Sequence, residues 1–218
     1  MTIFVTSDTH FNHANVIRYC ARPFANYFEM NKEMIHNWNL VVSPEDTVIH
    51  LGDVLLTQHR NLPEIISKLN GRKIAVAGNH DRLKNLLPVF DKVYEKTVDT
   101  AINGIRVRFS HYPCLDTSEF DLNICGHVHE HWLWKDKCLN VGVDVWEFTP
   151  VSLQDVLYCF EILKTLKFWP ETISQMRKML YGQEYMGFKG ERVLCLKKSL
   201  EKFSNGSGMF EEREKRIL

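Results

Sequence analysis

"IFVTSDTH", residues 3–10, runs from a short apolar segment directly into an aspartate and a histidine. An apolar run of this kind, followed by small polar residues, predicts a buried β-strand. Because alternate residues of a strand point the same way, we expect Asp8 and His10 to lean toward one point in space. A carboxylate and an imidazole that converge at a strand end suggest a pair of metal ligands.

Five similar runs follow along the chain, and each contains or ends in Gly, Asp, Asn or His. They are "DTVIHLGD" (46–53), "RKIAVAGNHD" (72–81), "IRVRFSHYP" (105–113), "FDLNICGHVH" (120–129) and "KCLNVGVDVW" (137–146). Short runs rich in β-branched residues predict buried strands, and helical patterns lie between the earlier ones, at 29–39 and 61–69. This alternation predicts an α/β fold, with the later strands close enough in sequence to be partly antiparallel.

The composition indicates an ordinary soluble domain. The chain has 218 residues, of which 44% are hydrophobic and 25% are charged, and its formal net charge is +0. No apolar run approaches the roughly 20 residues that span a bilayer, and the start of the chain lacks the pattern of a signal peptide. The six cysteines form no C-x-x-C pair, so we expect reduced, mostly buried thiols in a cytoplasmic protein with no membrane segment.

The pattern changes from about Ser152 onward. Three stretches there look helical: "VSLQDVLYCFEILKTL" (151–166), "PETISQMRKML" (170–180) and "GERVLCLKKSLEKF" (190–203). The "SNGSG" segment at 204–208 is typical of a flexible joint. We therefore predict one main domain over residues 1–166 and a helical C-terminal extension over residues 167–218.

Metal-capable side chains stand at the ends of five predicted strands. They form the blocks D-x-H (Asp8, His10), G-D (Asp53), G-N-H-D (Asn79, His80, Asp81), S-H (His111) and G-H-x-H (His127, His129). A single histidine of this kind is usually an ordinary core or surface residue, but five such strand ends are not expected by chance. If two cations bind here, the three carboxylates of these blocks are too few to fill both coordination shells. Imidazoles would then supply the remaining donors. Mixed oxygen and nitrogen ligands suit Mn, Fe, Zn or Ni better than Ca or Mg.

With these blocks in this order, the sequence resembles the calcineurin-like metallophosphoesterases over about residues 1–160. Within that family it is most similar to the small, uncapped phosphoesterases of bacteria and phages. The resemblance implies an α/β/β/α sandwich and makes residues 1–166 the catalytic domain. The sequence departs from the family at Asn12, where a glycine is expected.

The resemblance also implies a ligand set for two divalent transition-metal ions, with manganese foremost and iron, zinc or nickel as alternatives. The first ion would be held by Asp8, His10 and His129, the second by Asn79, His111 and His127, and Asp53 would bridge the two. Hydrolysis would proceed through a hydroxide that the two ions activate. His80 would face the substrate as general acid, while Asp81 would orient its ring and raise its basicity.

Three further residues are candidates for substrate binding. Asn12 and His13 follow the first ligand loop and can touch the substrate, although His13 can equally belong to the start of a helix. Arg22, in "ARPF", can reach a phosphate oxygen or form an ion pair. His50 lies within a predicted strand, and we expect it to be a buried, hydrogen-bonded histidine.

The resulting hypothesis is a phosphoesterase that hydrolyses a small phosphodiester or a nucleotide-type substrate. A DNA or RNA nuclease with the same metals is the main alternative, because the tail offers a basic stretch, "FKGERVLCLKKSLEKF" (188–203). A protein phosphatase is less favoured, because such relatives carry longer insertions than this compact core. A non-catalytic scaffold is also less favoured, since relatives of that kind lose ligands that are intact here. The oligomeric state is left open.

Overall fold

The computed structural model describes residues 1–56 and 61–164. The strands are β1 (Ile3–Thr6), β2 (Thr47–His50), β3 (Arg72–Val76), β4 (Lys92–Tyr94), β5 (Thr97–Ile102), β6 (Ile105–Ser110), β7 (Leu122–Cys125), β8 (Trp134–Lys135), β9 (Cys138–Asn140) and β10 (Val151–Ser152). The helices are α1 (Ala14–Tyr19), α2 (Tyr27–Val41), α3 (Leu62–Ile66), α4 (Leu83–Leu86) and α5 (Leu153–Leu163).

The strands form two five-stranded sheets. The first has the order β10-β1-β2-β3-β4, in which β1 to β4 are parallel and β10 is antiparallel to β1. The second has the order β5-β6-β7-β9-β8, with parallel pairs at its centre and antiparallel pairs at both edges. The predicted mixed α/β fold with partly antiparallel later strands is therefore confirmed.

The central strands of the first sheet place their carboxyl ends at one edge. Ile3, Thr47 and Arg72 are in register, so β1, β2 and β3 run side by side from their first residues. Parallel strands in this arrangement bring the loops that follow them together, which is where open α/β sheets bind ligands. The loops after these three strands carry the first three predicted blocks of ligands.

The two sheets are joined where β1 ends. Ser7 forms an isolated parallel bridge with Gly142, and the Val143 amide donates to the Ser7 carbonyl at 3.0 Å. The Gly126 amide, which follows β7, donates to the His111 carbonyl, which follows β6, also at 3.0 Å. The strand ends of the second sheet are thus tied to each other and, through Ser7, to the first sheet.

Helix α2 covers the first sheet with the apolar face that its spacing predicts. Met30, Met34 and Trp38 are buried at intervals of four residues. The helix begins at an N-cap, because the Asn26 side chain accepts a hydrogen bond from the Glu29 amide at 3.0 Å. The predicted helix over 29–39 is confirmed.

The other predicted helices agree with the structure except at one end. Helix α3 lies within the predicted span of 61–69. The helix predicted from residue 151 begins at Leu153, because Val151 and Ser152 pair with β1 as strand β10. Five of the cysteines carry free thiols, as expected: Cys20, Cys114, Cys125, Cys138 and Cys159. None of the described helices is long and apolar enough to cross a membrane. The predicted extension over 167–218, with its joint at 204–208, lies outside the described residues.

Candidate metal centre

The predicted ligand loops have an unusual backbone conformation. Asp8, His10, Asp53, His127 and His129 all adopt positive φ angles, between 47° and 72°. Side chains other than glycine rarely occupy this left-handed region, and such residues cluster at functional sites. Asp8 and His10 do lie close together, as expected. The expected reason, that alternate residues of a strand point the same way, is wrong. β1 ends at Thr6, and turns with left-handed residues aim the two side chains.

Glycines let these loops approach one another closely. A Cβ atom on Gly126 would overlap Ser7 Oγ and Asp8 Oδ2. A Cβ atom on Gly78 would overlap Asp53 Oδ1 and the Asp53 amide. Both glycines precede predicted ligands, so the absence of a side chain allows the loops from different strands to share one small volume.

The first group of candidate ligands is Asp8, His10 and His129, whose donor atoms lie within 4.8 Å of one another. Asp8 Oδ1 and both ring nitrogens of His10 are buried without a hydrogen-bond partner. Burial, followed by the charges of His129 and Arg22, holds the pKa of His10 well below its usual value, so the ring is neutral. A neutral imidazole beside an unpartnered carboxylate oxygen has lone pairs available to a cation.

The second group is Asp8, Asp53 and His111, again within 4.8 Å. His111 Nδ1 lies 2.8 Å from the Leu51 carbonyl, which can only accept, so Nδ1 carries the ring proton. Nε2 is therefore the nitrogen of this ring that could bind a cation, and it lies 3.5 Å from Asp53 Oδ2. The same Asp53 oxygen lies 3.5 Å from His10 Nε2. One carboxylate oxygen therefore stands between rings of the two predicted metal sites.

Asn79 and His127 complete this side of the centre. Asn79 Oδ1 lies 2.8 Å from His111 Nε2 and 3.1 Å from His127 Nδ1. Burial, and then the neighbouring His111, lowers the pKa of His127. The His127 amide donates to Asp8 Oδ2 at 2.8 Å, which ties this loop to the end of β1. All three residues predicted for the second ion thus contact one another.

His80 lies at the rim of the cluster, with 41% of its side chain exposed. Its Nε2 is 3.9 Å from Asp53 Oδ2, and its amide donates to Asp53 Oδ1 at 2.9 Å. Asp81 has different partners from those expected. Its carboxylate accepts hydrogen bonds from the amides of Gly78, Asp53 and Val54, at 2.9, 2.7 and 3.1 Å. Among the described contacts none joins Asp81 to the His80 ring, so this carboxylate fixes the loop backbone instead.

Arg22 does not reach the open side of the centre, which is the solvent-exposed side where His80 lies. Its guanidinium pairs with both oxygens of Asp144, at 2.7 and 2.9 Å, and with the Asp8 and Thr9 carbonyls, at 2.7 and 3.0 Å. A fifth contact, to Met30 Sδ at 3.5 Å, accounts for the last of its five N–H groups. The side chain is fully buried, so the ion-pair alternative holds and the predicted phosphate contact is wrong.

Asn12 and His13 follow the first ligand loop as expected. Asn12 has a φ of 62°, in the left-handed region of the backbone. Glycine adopts this conformation most easily, and asparagine adopts it more easily than most other residues, so asparagine can stand where a glycine is expected. His13 is the N-cap residue of α1 but makes no side-chain cap bond, and its ring lies 5.4 Å from that of His10. Burial, and then His80, lowers the pKa of His13. His50 is buried and bonded to Thr9 Oγ1 at 3.0 Å, as predicted.

The sequence interpretation missed three residues at this centre. Asp144 accepts from His129 Nδ1 at 2.9 Å, and the Asn140 amide group donates to the His129 carbonyl at 2.7 Å. The Tyr112 ring packs 4.4 Å from the ring of His127 and is 51% exposed. An acidic residue inside the apolar run "VGVDVW" was the available signal for Asp144, because a buried carboxylate needs a partner.

The donor set fits divalent cations. Burial raises the pKa of Asp8, and only part of that effect is opposed by His111 and His129. Burial lowers the pKa of His129, but its hydrogen bond to Asp144 raises it to about 10 overall. A cation would take the place of the second ring proton and would pair with the orphaned Asp8 oxygen. Burial disfavours the charge of Asp144, yet His129 and Arg22 hold its pKa below the usual value, so it is ionised.

Comparison with known proteins agrees with this geometry. The calcineurin-like phosphoesterase superfamily domain matches residues 1–150. The uncharacterized protein MJ1445 of Methanocaldococcus jannaschii is 37% identical over 179 residues, which cover 76% of this chain and 94% of that protein. The crystal structure of AQ665 from Aquifex aeolicus, a protein of unknown function, has a TM-score of 0.59 and 29% identity, covering 72% of this chain and 98% of its own. This chain belongs to the calcineurin-like phosphoesterase superfamily, which supports a hydrolase of phosphate esters.

Proposed function

We propose that the protein is a dinuclear metal-dependent phosphoesterase that hydrolyses a small phosphodiester or a nucleotide-type ester. When bound, two divalent cations would lower the pKa of a water molecule and offset negative charge on the phosphoryl oxygens. Manganese is the ion we expect, and the cytoplasm is the expected compartment. Family membership supports the class of reaction, and the arrangement of side chains supports the use of two ions.

The observation that carries the proposal is the position of Asp53. Its Oδ2 atom lies 3.5 Å from His10 Nε2 and 3.5 Å from His111 Nε2, two rings that belong to different groups of candidate ligands. Each of these nitrogens is a candidate metal ligand, so a single carboxylate oxygen lies next to a ligand of each proposed ion. This symmetry is what a bridging carboxylate requires.

His80 is suited to protonate the leaving group. Its ring is the exposed member of the cluster and stands 5.6 Å from the ring of His10, so a substrate at the ligands can also reach it. The amide of the same residue is held by Asp53 Oδ1, so the backbone that carries the ring is fixed to the centre. An alkoxide leaves slowly unless it receives a proton, which a positioned histidine can supply.

Two exposed aromatic side chains border the centre and support a substrate with a planar group. Tyr112 packs against His127, and Tyr19, which is 63% exposed, lies 6.4 Å from His13 between ring centroids. The Arg18 guanidinium lies 5.5 Å from the centre of the Tyr19 ring. Aromatic rings and guanidinium planes stack on nucleobases, so this border favours a nucleotide over a simple alkyl phosphate.

The substitution Asp53→Asn tests the dinuclear assignment. An amide keeps the shape of the side chain but removes the charge shared by two cations, so we expect loss of at least one bound Mn²⁺ and of most activity. Metal content measured by inductively coupled plasma mass spectrometry, with hydrolysis of bis(p-nitrophenyl) phosphate, gives both readouts. Glu45→Gln is the matched control, because it makes the same change on an exposed carboxylate. Full activity of Asp53→Asn with two bound ions would refute the bridging role.

The nuclease alternative depends on residues that the structure does not describe. The basic stretch at 188–203 lies outside the described part of the chain, so it stays a prediction from sequence. The same assay can include single-stranded DNA beside nitrophenyl mono- and diesters and cyclic nucleotides. Binding of DNA that falls steeply with salt, together with its cleavage, would favour a nuclease.

A further inference from the structure

We propose that Arg22 and Asp144 form a buried positioning pair that selects the metal-binding tautomer of His129 and holds the Asp8 loop in place. This inference rests on the proposed function, since it concerns the same centre. It assigns a role to two residues that do not touch the open side of the site. It also explains why Arg22, fully buried, lies so close to the candidate ligands.

Asp144 determines which nitrogen of His129 is free. The distance from His129 Nδ1 to Asp144 Oδ2 is 2.9 Å, and an ionised carboxylate can only accept a hydrogen bond. When a cation takes the place of one of the two ring protons, the remaining proton therefore stays on Nδ1 and Nε2 supplies the lone pair. Histidine ligands in metalloproteins commonly donate their second ring N–H to a carboxylate in this way, which fixes the ring and raises its basicity.

Arg22 fixes Asp144 and the first ligand loop at the same time. Its Nε and Nη2 atoms contact the two oxygens of Asp144 at 2.7 and 2.9 Å, in the bidentate geometry that sets the carboxylate plane. Its Nη2 and Nη1 atoms also donate to the Asp8 and Thr9 carbonyls. One guanidinium thus connects the left-handed turn at Asp8 to Asp144, the partner of His129. Asp8 and His129 are two of the three members of the first ligand group.

The substitution Asp144→Asn breaks this arrangement without changing its shape. In the wild type Oδ1 accepts from Arg22 Nε, while Oδ2 accepts from both Arg22 Nη2 and His129 Nδ1. The single oxygen of the amide therefore leaves at least one of these donors facing an NH2 group. If the amide nitrogen faces Nδ1, the ring proton moves to Nε2 and that atom no longer binds a metal. We expect one Mn²⁺ to bind with unchanged affinity and the other to bind about 10- to 100-fold more weakly.

Isothermal titration with Mn²⁺, at a temperature where circular dichroism shows folded protein, measures this difference. Asp155→Asn is the matched control, because Asp155 pairs with Ser152 at the start of α5, away from the centre. Cys20→Ser is a second control. Another group of possible ligands, whose donor atoms lie within 4.8 Å of one another, is Cys20, His129, Glu130 and Asp144. A cation held by the thiol would be lost in the Cys20→Ser variant. The positioning role predicts two bound ions in both controls.

A double substitution covers the case in which Asp144→Asn does not fold. Arg22→Met with Asp144→Leu removes both buried charges together, so neither is left unpaired, and it still deprives His129 of its acceptor. Selective weakening of one ion in this protein supports the inference. Two ions bound with wild-type affinity in either variant would overturn it and leave the proposed function intact. A wild-type protein that binds fewer than two ions would overturn the dinuclear proposal and this inference with it.

Discussion

At the scale of single residues, His80 and Asp81 have separate tasks although they are neighbours. The carboxylate of Asp81 is occupied by three backbone amides, and burial, which those amides partly oppose, raises its pKa. It stabilises the turn that presents Asn79 and His80. The ring of His80 is left at the rim, where its nearest carboxylate is Asp53.

His80→Ala should therefore separate metal binding from catalysis. The ring is not among the grouped candidate ligands, so we expect two bound ions, while loss of a general acid lowers the rate for an alkyl phosphodiester about 100- to 10,000-fold. A nitrophenyl ester should lose less, because its leaving group needs less help from a proton donor. His36→Ala, on the exposed face of α2, is the control. An unchanged rate with the alkyl ester would exclude His80 as the acid.

At the scale of elements, the centre depends on how closely strand ends can approach. β7 ends at Cys125, and the next residue, Gly126, packs directly against Ser7 and Asp8 beyond the end of β1. The order of strands brings these ends to one edge, but the close contact needs a residue without a side chain. The alternation of side chains along a strand therefore does not explain this close contact between strand ends.

Gly126→Ala should disturb both stability and the first metal group. Its Cβ would overlap Ser7 Oγ and Asp8 Oδ2, so we expect a loss of about 1–3 kcal/mol in the free energy of unfolding and weaker binding of one ion. Urea unfolding and titration with Mn²⁺ measure the two effects. Gly104→Ala, in the turn between β5 and β6, is the control, because its Cβ meets no atom within 4 Å. The Gly104→Ala variant should lose only the stability that glycine provides at a φ of 82°, and it should still bind both ions.

At the scale of the whole molecule, the metal centre gathers loops from both sheets into one cluster. Asp8 and Asp53 are almost completely buried, and neither sheet holds the complete set of candidate ligands. Bound cations would therefore stabilise the native state as well as supply chemistry, since the unfolded chain cannot assemble the same donors.

Removal of metal should lower the melting temperature of the full chain. A cation that binds only the folded state at 100 times its Kd contributes about 2.7 kcal/mol, so chelation followed by addition of Mn²⁺ should shift the transition reversibly and with concentration. Calorimetry of the chelated and reloaded protein measures this shift. A melting temperature that is identical in both states would contradict metal binding at buried ligands.

The sequence predicted six of the ten described strands and the helices α2, α3 and α5, because their signals are local. It did not predict β4, β5, β8, β10, α1 or α4. Apolar runs marked β1, β2, β3, β6, β7 and β9, and the spacing of Met30, Met34 and Trp38 marked the buried face of α2. The Asn103–Gly104 pair, in which both residues have a positive φ, is a further local signal, for the hairpin of β5 and β6.

The pattern of residues alone indicates the chemical types of the candidate ligands and the strand after which each one stands. Which candidates lie within reach of one another, and which of their neighbours bind backbone groups, depends on contacts that form only in the folded chain. Arg22 and Asp144 lie 122 positions apart, and no local pattern shows that they meet. The physical reason is that periodicity reports one element at a time, whereas a buried charge is placed by partners that folding brings from elsewhere in the chain.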